Sequence, residues 1–430
     1  MSMDKARLPA TARPRRHWRR RLLALFVVFA ALAWLLQPQR SGPFMLARLG
    51  ESLGLQITVQ SIDYRLRGTP EVTLDGLVVT QPGHPEPLLQ ARHARIALPW
   101  QTLRSRGNPL VFDRIEVEAP RLDLVATQRW LASRPPAPPT KIPLITHGIG
   151  LRDGSIVAPD WRIEGISITA ATLHPRQPLH AHVAGRYRDA TISIPARLEI
   201  IIADPQALPD GMASTIEARG TLALIGTDWA LPAQLVAHAP LRFGEGTIRM
   251  DPAKLGIVGR YRSGTTSVPF RLGLYGRIIH AESRWTFDPA TAVLAGGDVL
   301  PEVSVRGSAV LGEDLRLHLA GSMASWPQAW PALPAPLAGS RSPFGLTLDY
   351  AGAPALDALI SLALRRDATR FDARFRRADV VAWLDATAGS PLPPLQGTLA
   401  TPRLVLPGAT LDGVEIEIED SRTTSDAVTP

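Results

Sequence analysis

Apolar residues alternate with polar or charged residues along one segment after another of this sequence. In the segment 414–419 every second residue is Val or Ile, and each residue between them is Glu. A period of two places successive side chains on opposite faces of a β-strand, so one face is apolar and the other charged. A similar alternation of apolar with polar or charged residues recurs at 55–59, 114–118, 315–319 and 371–375. Repeated one-sided strands predict a mostly antiparallel sheet with one face shielded from water.

Proline and glycine are too frequent for a mostly helical bundle. The 430 residues include 40 Pro and 34 Gly, and both residues interrupt helices. Asp-Gly pairs at 75–76, 153–154, 210–211 and 412–413 predict turns between strands. Short helices are expected at 43–54, 127–133 and 378–386, the last two carrying Trp130 and Trp383, whose rings we expect to pack onto the sheet.

The positive charge of the chain is concentrated at its start. The formal net charge is +8, but residues 1–21 hold eight Lys and Arg and one Asp, which accounts for nearly all of it. A basic tail beside an apolar segment indicates membrane topology more readily than DNA binding. The remainder gives no electrostatic case for a nucleic-acid partner. Cysteine is absent, which excludes disulfides, thiolate nucleophiles and cysteine-ligated metals.

Residues 22–36 form an uninterrupted apolar segment of fifteen residues. Counted from Trp18, with the arginines reaching toward phosphates, the helix would be about 28 Å long, close to the roughly 30 Å bilayer core. We therefore expect an uncleaved membrane anchor, with the basic tail inside and the body outside. The expected anchor residues are Trp18, Leu22, Phe26, Phe29, Trp34 and Leu36. A signal peptide cleaved near 31–33 is the alternative. A second apolar segment of this length is lacking, so we expect a single pass.

Composition and patterning divide the chain into eight segments. Two proline-rich stretches, 135–143 and 327–343, are the main interruptions of the strand pattern, and loops of this composition are extended and semi-rigid. The predicted segments are a basic cytoplasmic tail (1–21), the anchor (22–36), an N-terminal β region (42–134), a proline-rich linker (135–143), a central β region (144–326), a proline-rich loop (327–343), a C-terminal β region (344–420) and a disordered tail (421–430).

Signatures of nucleotide binding, metalloprotease chemistry, calcium loops and nucleophile elbows do not occur in this sequence. His180 and His182 would share one strand face, but two histidines without a third ligand are more typical of a solvated surface than of a metal site. We therefore expect no enzymatic activity, no catalytic residue, no metal site and no cofactor.

A long sheet with one apolar face must hide that face in a second sheet, by curling, or with lipid. Roughly 25 strands are expected, which favours either several stacked sandwiches or one long curled sheet. Candidate residues of an apolar groove are Ile115, Val117, Leu122, Leu124, Phe371, Phe375, Val414, Ile416 and Ile418. Arg370, Arg374 and Arg376 are candidate contacts for a lipid head group or an acidic partner. A solvated strand face is the competing interpretation.

Several segments resemble AsmA-like envelope proteins in order and spacing. The resemblance begins with the anchor and the short helix and covers about 55–180 and 345–420. The similar segments are 54–59 (GLQITV), 68–79 (GTPEVTLDGLVV), 89–98 (LQARHARIAL), 112–124 (FDRIEVEAPRLDL), 151–156 (LRDGSI) and 395–420 (LQGTLATPRLVLPGATLDGVEIEIED).

The resemblance implies a mainly β fold, in which one transmembrane helix precedes a long, curled, mostly antiparallel sheet with a taco-like groove and a few short helices. This architecture is that of the TamB and chorein-type bridge proteins. The resemblance also implies an anchor in the inner membrane, a cytoplasmic N-terminus and a periplasmic body. It implies a non-enzymatic role in phospholipid transport and outer-membrane biogenesis. The expected partners are the inner membrane, phospholipid and an envelope protein. The alternative is an assembly factor that acts on outer-membrane proteins through its strand edges, without lipid transport.

Overall fold

The computed structural model describes residues 46–48, 50–51, 53–105, 109–134, 141–244, 246–328, 332–333, 337–385, 394–406 and 409–419. Strands account for 64% of the structure. The strands of the first third are β1 (Gln56–Thr58), β2 (Ser61–Arg65), β3 (Glu71–Thr80), β4 (Pro87–Ala97), β5 (Val111–Phe112), β6 (Arg114–Glu118), β7 (Arg121–Asp123), β8 (Leu144–Ile145) and β9 (Ile149–Val157).

Longer strands make up the rest of the chain. They are β10 (Arg162–Ala170), β11 (Leu179–Arg188), β12 (Ser193–Ile202), β13 (Ser214–Ile225), β14 (Trp229–Gly244), β15 (Thr247–Ser263), β16 (Thr266–Ala281), β17 (Arg284–Gly296), β18 (Leu300–Leu311), β19 (Leu315–Met323), β20 (Phe344–Gly352), β21 (Ile360–Arg366), β22 (Thr369–Phe375), β23 (Gln396–Leu406) and β24 (Ala409–Ile418).

Twenty-two of these strands form one continuous sheet. From β9 to β24 every strand pairs antiparallel with the strand that follows it in the chain. With β1 and β2 sharing one edge of β3, and β6 and β7 sharing one edge of β4, the sheet is about 90 Å wide at the usual strand spacing. The long curled sheet, and not a stack of sandwiches, is therefore the architecture of the described chain.

One seam of the large sheet is parallel. Strands β6 and β7 both run parallel to β9, and β5 and β8 form a separate two-stranded parallel sheet. A parallel pair needs a crossover connection, and the chain between β7 and β9 contains the helix α2 (Leu124–Ala132). The other helices are α1 (Trp100–Arg104) and α3 (Arg377–Asp385), and the backbone at 46–48, 50–51 and 53 is also helical.

Helix α2 corrects the prediction for Leu124. The alternation of 121–124 predicts that this leucine continues a strand, but β7 ends at Asp123 and Leu124 is the first helical residue. Asp123 is the cause, because its carboxylate accepts a hydrogen bond from the backbone N–H of Ala126 at 2.8 Å and so caps the helix. Trp130 of this helix donates from Nε1 to the carbonyl of Leu53 at 3.1 Å.

Three of the four Asp-Gly pairs are not turns. The pairs at 75–76, 153–154 and 412–413 lie inside β3, β9 and β24. Gly76, Asp153 and Gly413 have φ of 58°, 54° and 63°. The residue types indicate a left-handed backbone position, and a strand can contain such a position without reversing the chain. The ladder shifts register beside Asp153, as in a β-bulge, and keeps its register across Gly76 and Gly413. Only the pair at 210–211 lies in a connection between strands, β12 and β13.

Several predicted segments lie wholly or partly outside the described residues. They include the basic tail, the anchor and its six named residues, most of the linker at 135–143, part of the loop at 327–343, and the C-terminal tail. Among the described residues there is no helix long and apolar enough to cross a bilayer.

Candidate functional site

The register of the sheet joins one apolar residue from each successive strand into an unbroken row. Directly paired residues in a ladder point to the same face. The row begins at Ile416 on β24, continues through each residue's ladder partner, and ends at Tyr64 on β2. None of its members is a charged residue, Asn, Gln, Ser or Thr. Its members are Ile416, Leu399, Phe371, Leu364, Leu346, Gly321, Val305, Ala292, Leu274, Leu255, Ala237, Ala218, Ile200, Ala181, Ala170, Ile149, Ile115, Ile96, Val72 and Tyr64.

We call the face that carries this row the inner face, and its opposite the outer face. Exposure differs consistently between them. On β15 the inner-face residues Leu255 and Ile257 are half-buried, whereas Lys254 and Val258 of the outer face are exposed, Val258 at 54%. Both faces of a flat sheet would be equally accessible to water. The sheet therefore curls toward its inner face and forms an open groove lined by apolar side chains.

Small residues allow the sheet to curl. Gly276 on β16 and Gly307 on β18 lie on the inner face, and both have Ala290 of β17 as ladder partner. A Cβ on Gly276 would overlap the carbonyl of Pro289, and a Cβ on Gly307 would overlap the carbonyl of His318. Adjacent strands approach each other more closely on this side than a side chain permits, which is how glycine introduces curvature into a sheet.

The groove is filled at its N-terminal end. Ile62, Leu74 and Ala94 form a cluster in which each side chain is at most 7% exposed, and Leu46 of the first helical segment packs against it. Elsewhere in the described chain, large apolar side chains as buried as these are scattered, among them Met323, Phe344, Tyr350 and Leu404, and most residues of the row are half-buried. Among the described residues, most of the inner face thus lacks the close covering seen at this end.

The candidate groove residues converge on this face. Ile115, Phe371 and Ile416 belong to the row itself. The pairing also assigns to the inner face Val117, Leu122, Phe375, Val414 and Ile418. Leu124 stands apart, because it lies in α2.

The candidate arginines lie elsewhere. Arg370 and Arg374 flank Asp372 on the outer face of β22, opposite Phe371 and the row. Arg376 was expected to continue this strand face, but β22 ends at Phe375, so Arg376 lies between β22 and α3. This placement favours contact with a partner over contact with the head group of a lipid lying in the groove.

Ion pairs cover the outer face near the N-terminal end. Arg65 and Arg95 hold Glu71 at 2.6 and 3.2 Å, and a short contact of 2.7 Å joins His93 Nδ1 to Asp75. Hydrogen bonds from His93 and Ser61 hold the pKa of Asp75 below its ordinary value of 3.8. Further along, a hydrogen bond from Arg219 lowers the pKa of Glu199. Each of these exposed contacts contributes little to the free energy of unfolding, but together they make the outer face polar and hydrated.

His180 and His182 also lie on the outer face, in ladder with Ile201 and Glu199. Within the described ranges, no three His, Asp or Glu side chains group as metal ligands. Sequence patterning missed two features of the site: the parallel seam and the bulges that keep apolar residues on one face. The Asp-Gly pair at 153–154 could have indicated a bulge, because such pairs favour positive φ, but the sequence pattern predicts a turn there.

No family model, curated protein or solved structure matches this chain.

Proposed function

We propose that this protein is a non-enzymatic, inner-membrane-anchored periplasmic protein of the AsmA-like kind. It binds phospholipid on the inner face of its curled sheet and contributes to lipid transport in outer-membrane biogenesis. The observation that supports this proposal is the row of directly paired apolar residues from Ile416 to Tyr64. An apolar surface this long, half-buried over most of its width in the described chain, is suited to an apolar ligand.

The dimensions suit acyl chains. A lipid chain spans about 15 Å, half of the roughly 30 Å bilayer core, and the groove is about 90 Å wide across its strands. Several chains can therefore lie side by side on the inner face. Each buried methylene contributes about 0.8 kcal/mol, whereas phosphate head groups remain in water at the open side of the groove. Such a site is distributed over many residues and has no single anchor point.

Position-specific photo-crosslinking in membranes tests this proposal. A crosslinking residue replaces Leu274 on the inner face or its neighbour Tyr275, which is 51% exposed on the outer face. We expect phospholipid adducts at position 274 and few at position 275, because neighbouring residues of one strand sample opposite faces. Equal adduct yields at the two positions, or no lipid at position 274, would contradict the proposal.

The alternative of an assembly factor has one observation in its favour. Strand β24 pairs with β23 along one edge, and no described strand pairs with its other edge. Leu411 and Ile416 on this strand are 44% and 37% exposed. An unpaired edge can accept a strand from another protein. Protein adducts from a crosslinker at Glu417 of β24, together with no lipid adduct at position 274, would favour this alternative.

A further inference from the structure

Two prolines interrupt the ladder on either side of a single hairpin. Between β12 and β13, pairing lapses after Ser193 and resumes at Ala196, and Pro195 lies in the gap. Between β14 and β15 it lapses after Ala230 and resumes at Ala233, around Pro232. Proline has no N–H to donate to a ladder. The hairpin β13–β14 thus lacks ladder pairs to β12 and to β15 at the same level along its strands.

An open concavity lies on the outer face at this height. Its volume is about 1080 Å³. Its floor includes the small side chains of Ala184, Ala223 and the two prolines. Ala223 is the direct ladder partner of Pro232, so the floor follows the part of the hairpin that lacks these ladder pairs. The concavity is on the opposite side of the sheet from the apolar groove.

Four arginines stand around this floor. Arg186 and Arg197 belong to β11 and β12 on one side, and Arg260 and Arg262 belong to β15 on the other. Arg260 donates to the hydroxyl of Ser267 at 3.3 Å. Among the described residues, none of the four guanidinium groups lies within ion-pair distance of a carboxylate. The N-terminal part of the outer face, where arginines are paired with glutamates, differs in this respect.

Two acidic side chains also line the concavity, and one of them, Glu164, is the ladder partner of Arg186. Asp153 and Glu164 line its far side, on β9 and β10. Glu164 is engaged by two other arginines, Arg162 at 3.4 Å and Arg188 at 3.7 Å. The lining therefore carries an excess of positive charge, four arginines against two carboxylates, above a neutral floor.

We propose that this outer-face concavity binds an organic anion that carries at least two phosphate groups. A guanidinium group presents a planar fork of donors that matches phosphate oxygens. The two arginine pairs are separated by the hairpin β13–β14, so strands β12 and β15 lie about 14 Å apart at the usual strand spacing. One phosphate cannot reach both pairs, whereas an anion with separated phosphates can bridge them. A phosphorylated lipid head group and a soluble polyphosphate share this chemistry.

Calorimetric titration of the full chain, held in nanodiscs of neutral phosphatidylcholine, tests the site with inositol hexakisphosphate as the probe. The double variant Arg197→Gln, Arg260→Gln removes one guanidinium from each side. We expect it to weaken binding about 100-fold, the loss of two charge-assisted hydrogen bonds. Arg249→Gln is the matched control, because it removes an exposed charge from the outer face of β15 outside the concavity. It should change the affinity less than about twofold.

Absence of binding to the unaltered chain, or equal weakening by Arg249→Gln, would overturn the proposal. An unchanged thermal unfolding curve of the double variant verifies that its fold is intact. Displacement of the probe by vesicles containing cardiolipin, and not by a soluble long-chain polyphosphate, assigns the site to lipid head groups. Displacement by the polyphosphate alone assigns it to a soluble anion, and displacement by neither overturns the proposed phosphate selectivity. Lipid adducts at position 274 do not depend on this result, so the two proposals fail separately.

Discussion

A carboxylate placed in the middle of the inner face should block lipid binding there. Leu274 is suited to this test, since it lies on β16 near the centre of the sheet and its ladder partners are Leu255 and Ala292. This position is half-buried. The substitution Leu274→Asp should therefore lower the free energy of unfolding by only about 1–2 kcal/mol.

The penalty for lipid binding is larger. A charged Asp beneath an acyl chain costs about 3 kcal/mol by membrane-insertion measurements. Taking up a proton at neutral pH costs about 4 kcal/mol, because an ordinary Asp pKa lies about three units below pH 7 and each unit is worth about 1.4 kcal/mol. The lost leucine contact adds about 1 kcal/mol. A total of about 4 kcal/mol corresponds to a decrease in local lipid affinity of roughly 1000-fold.

The assay is titration of the full chain in nanodiscs with a fluorescent phospholipid at two pH values. At about pH 5 protonation costs only about 1.5 kcal/mol and replaces the roughly 3 kcal/mol cost of burying the charge, so binding to the Asp variant should recover roughly tenfold relative to neutral pH. Leu274→Asn cannot titrate and should show no such recovery. Tyr275→Asp places the same charge on the outer face and should bind lipid normally. Equal losses for Leu274→Asp and Tyr275→Asp, or no loss for either, would refute the argument.

Three further predictions concern the sheet and its ends. Gly307→Val should lower the free energy of unfolding by about 2–4 kcal/mol, because its Cβ meets the carbonyl of His318; the matched outer-face variant Gly256→Val, with only a carbonyl 4.0 Å away, should be nearly neutral in chemical denaturation. Asp123→Ala should cost about 1 kcal/mol by removing the cap of α2, and Asp123→Asn should retain most of it, as measured by thermal unfolding. The folded-state pKa of Asp75 is lowered by His93 and Ser61, so its stabilising contribution is present above about pH 4 and is lost as the pH falls through the folded pKa; His93→Ala should make unfolding less sensitive to acid in that range, and an unchanged acid transition would argue against the assignment.

Alternation in the sequence was sufficient to predict the fold class, because side-chain period is a local property of the chain. The segment 414–419 needs no knowledge of its neighbours to be assigned an apolar face and a charged face. The placement of Ile115 and Ile416 on the same face of one sheet could not be predicted in this way. It depends on the register of every intervening strand pair, because a slip of one residue in any pair would exchange the two faces.

The errors have local causes as well. Asp-Gly pairs indicate a left-handed backbone position, and strands and turns can both contain one, so Gly76 and Gly413 were assigned to turns although they lie within strands. Leu124 fits the period-two pattern by coincidence. It begins a helix that the carboxylate of Asp123 caps. The outer-face concavity escaped prediction because its four arginines come from three strands that are separated in the sequence.

The neighbour-to-neighbour pairing from β9 to β24 also bears on how such a chain can evolve and fold. Each strand there depends only on the two strands next to it, so loss or duplication of a two-strand hairpin preserves strand direction and the inner-face assignment of all the others. Each hairpin would change the width of the sheet by about 10 Å. Contacts this local favour stepwise growth of the sheet from a nucleus, as in repeat proteins. The length of the groove across its strands can thus change during evolution by whole hairpins, while the remaining strands keep their pairing and their faces.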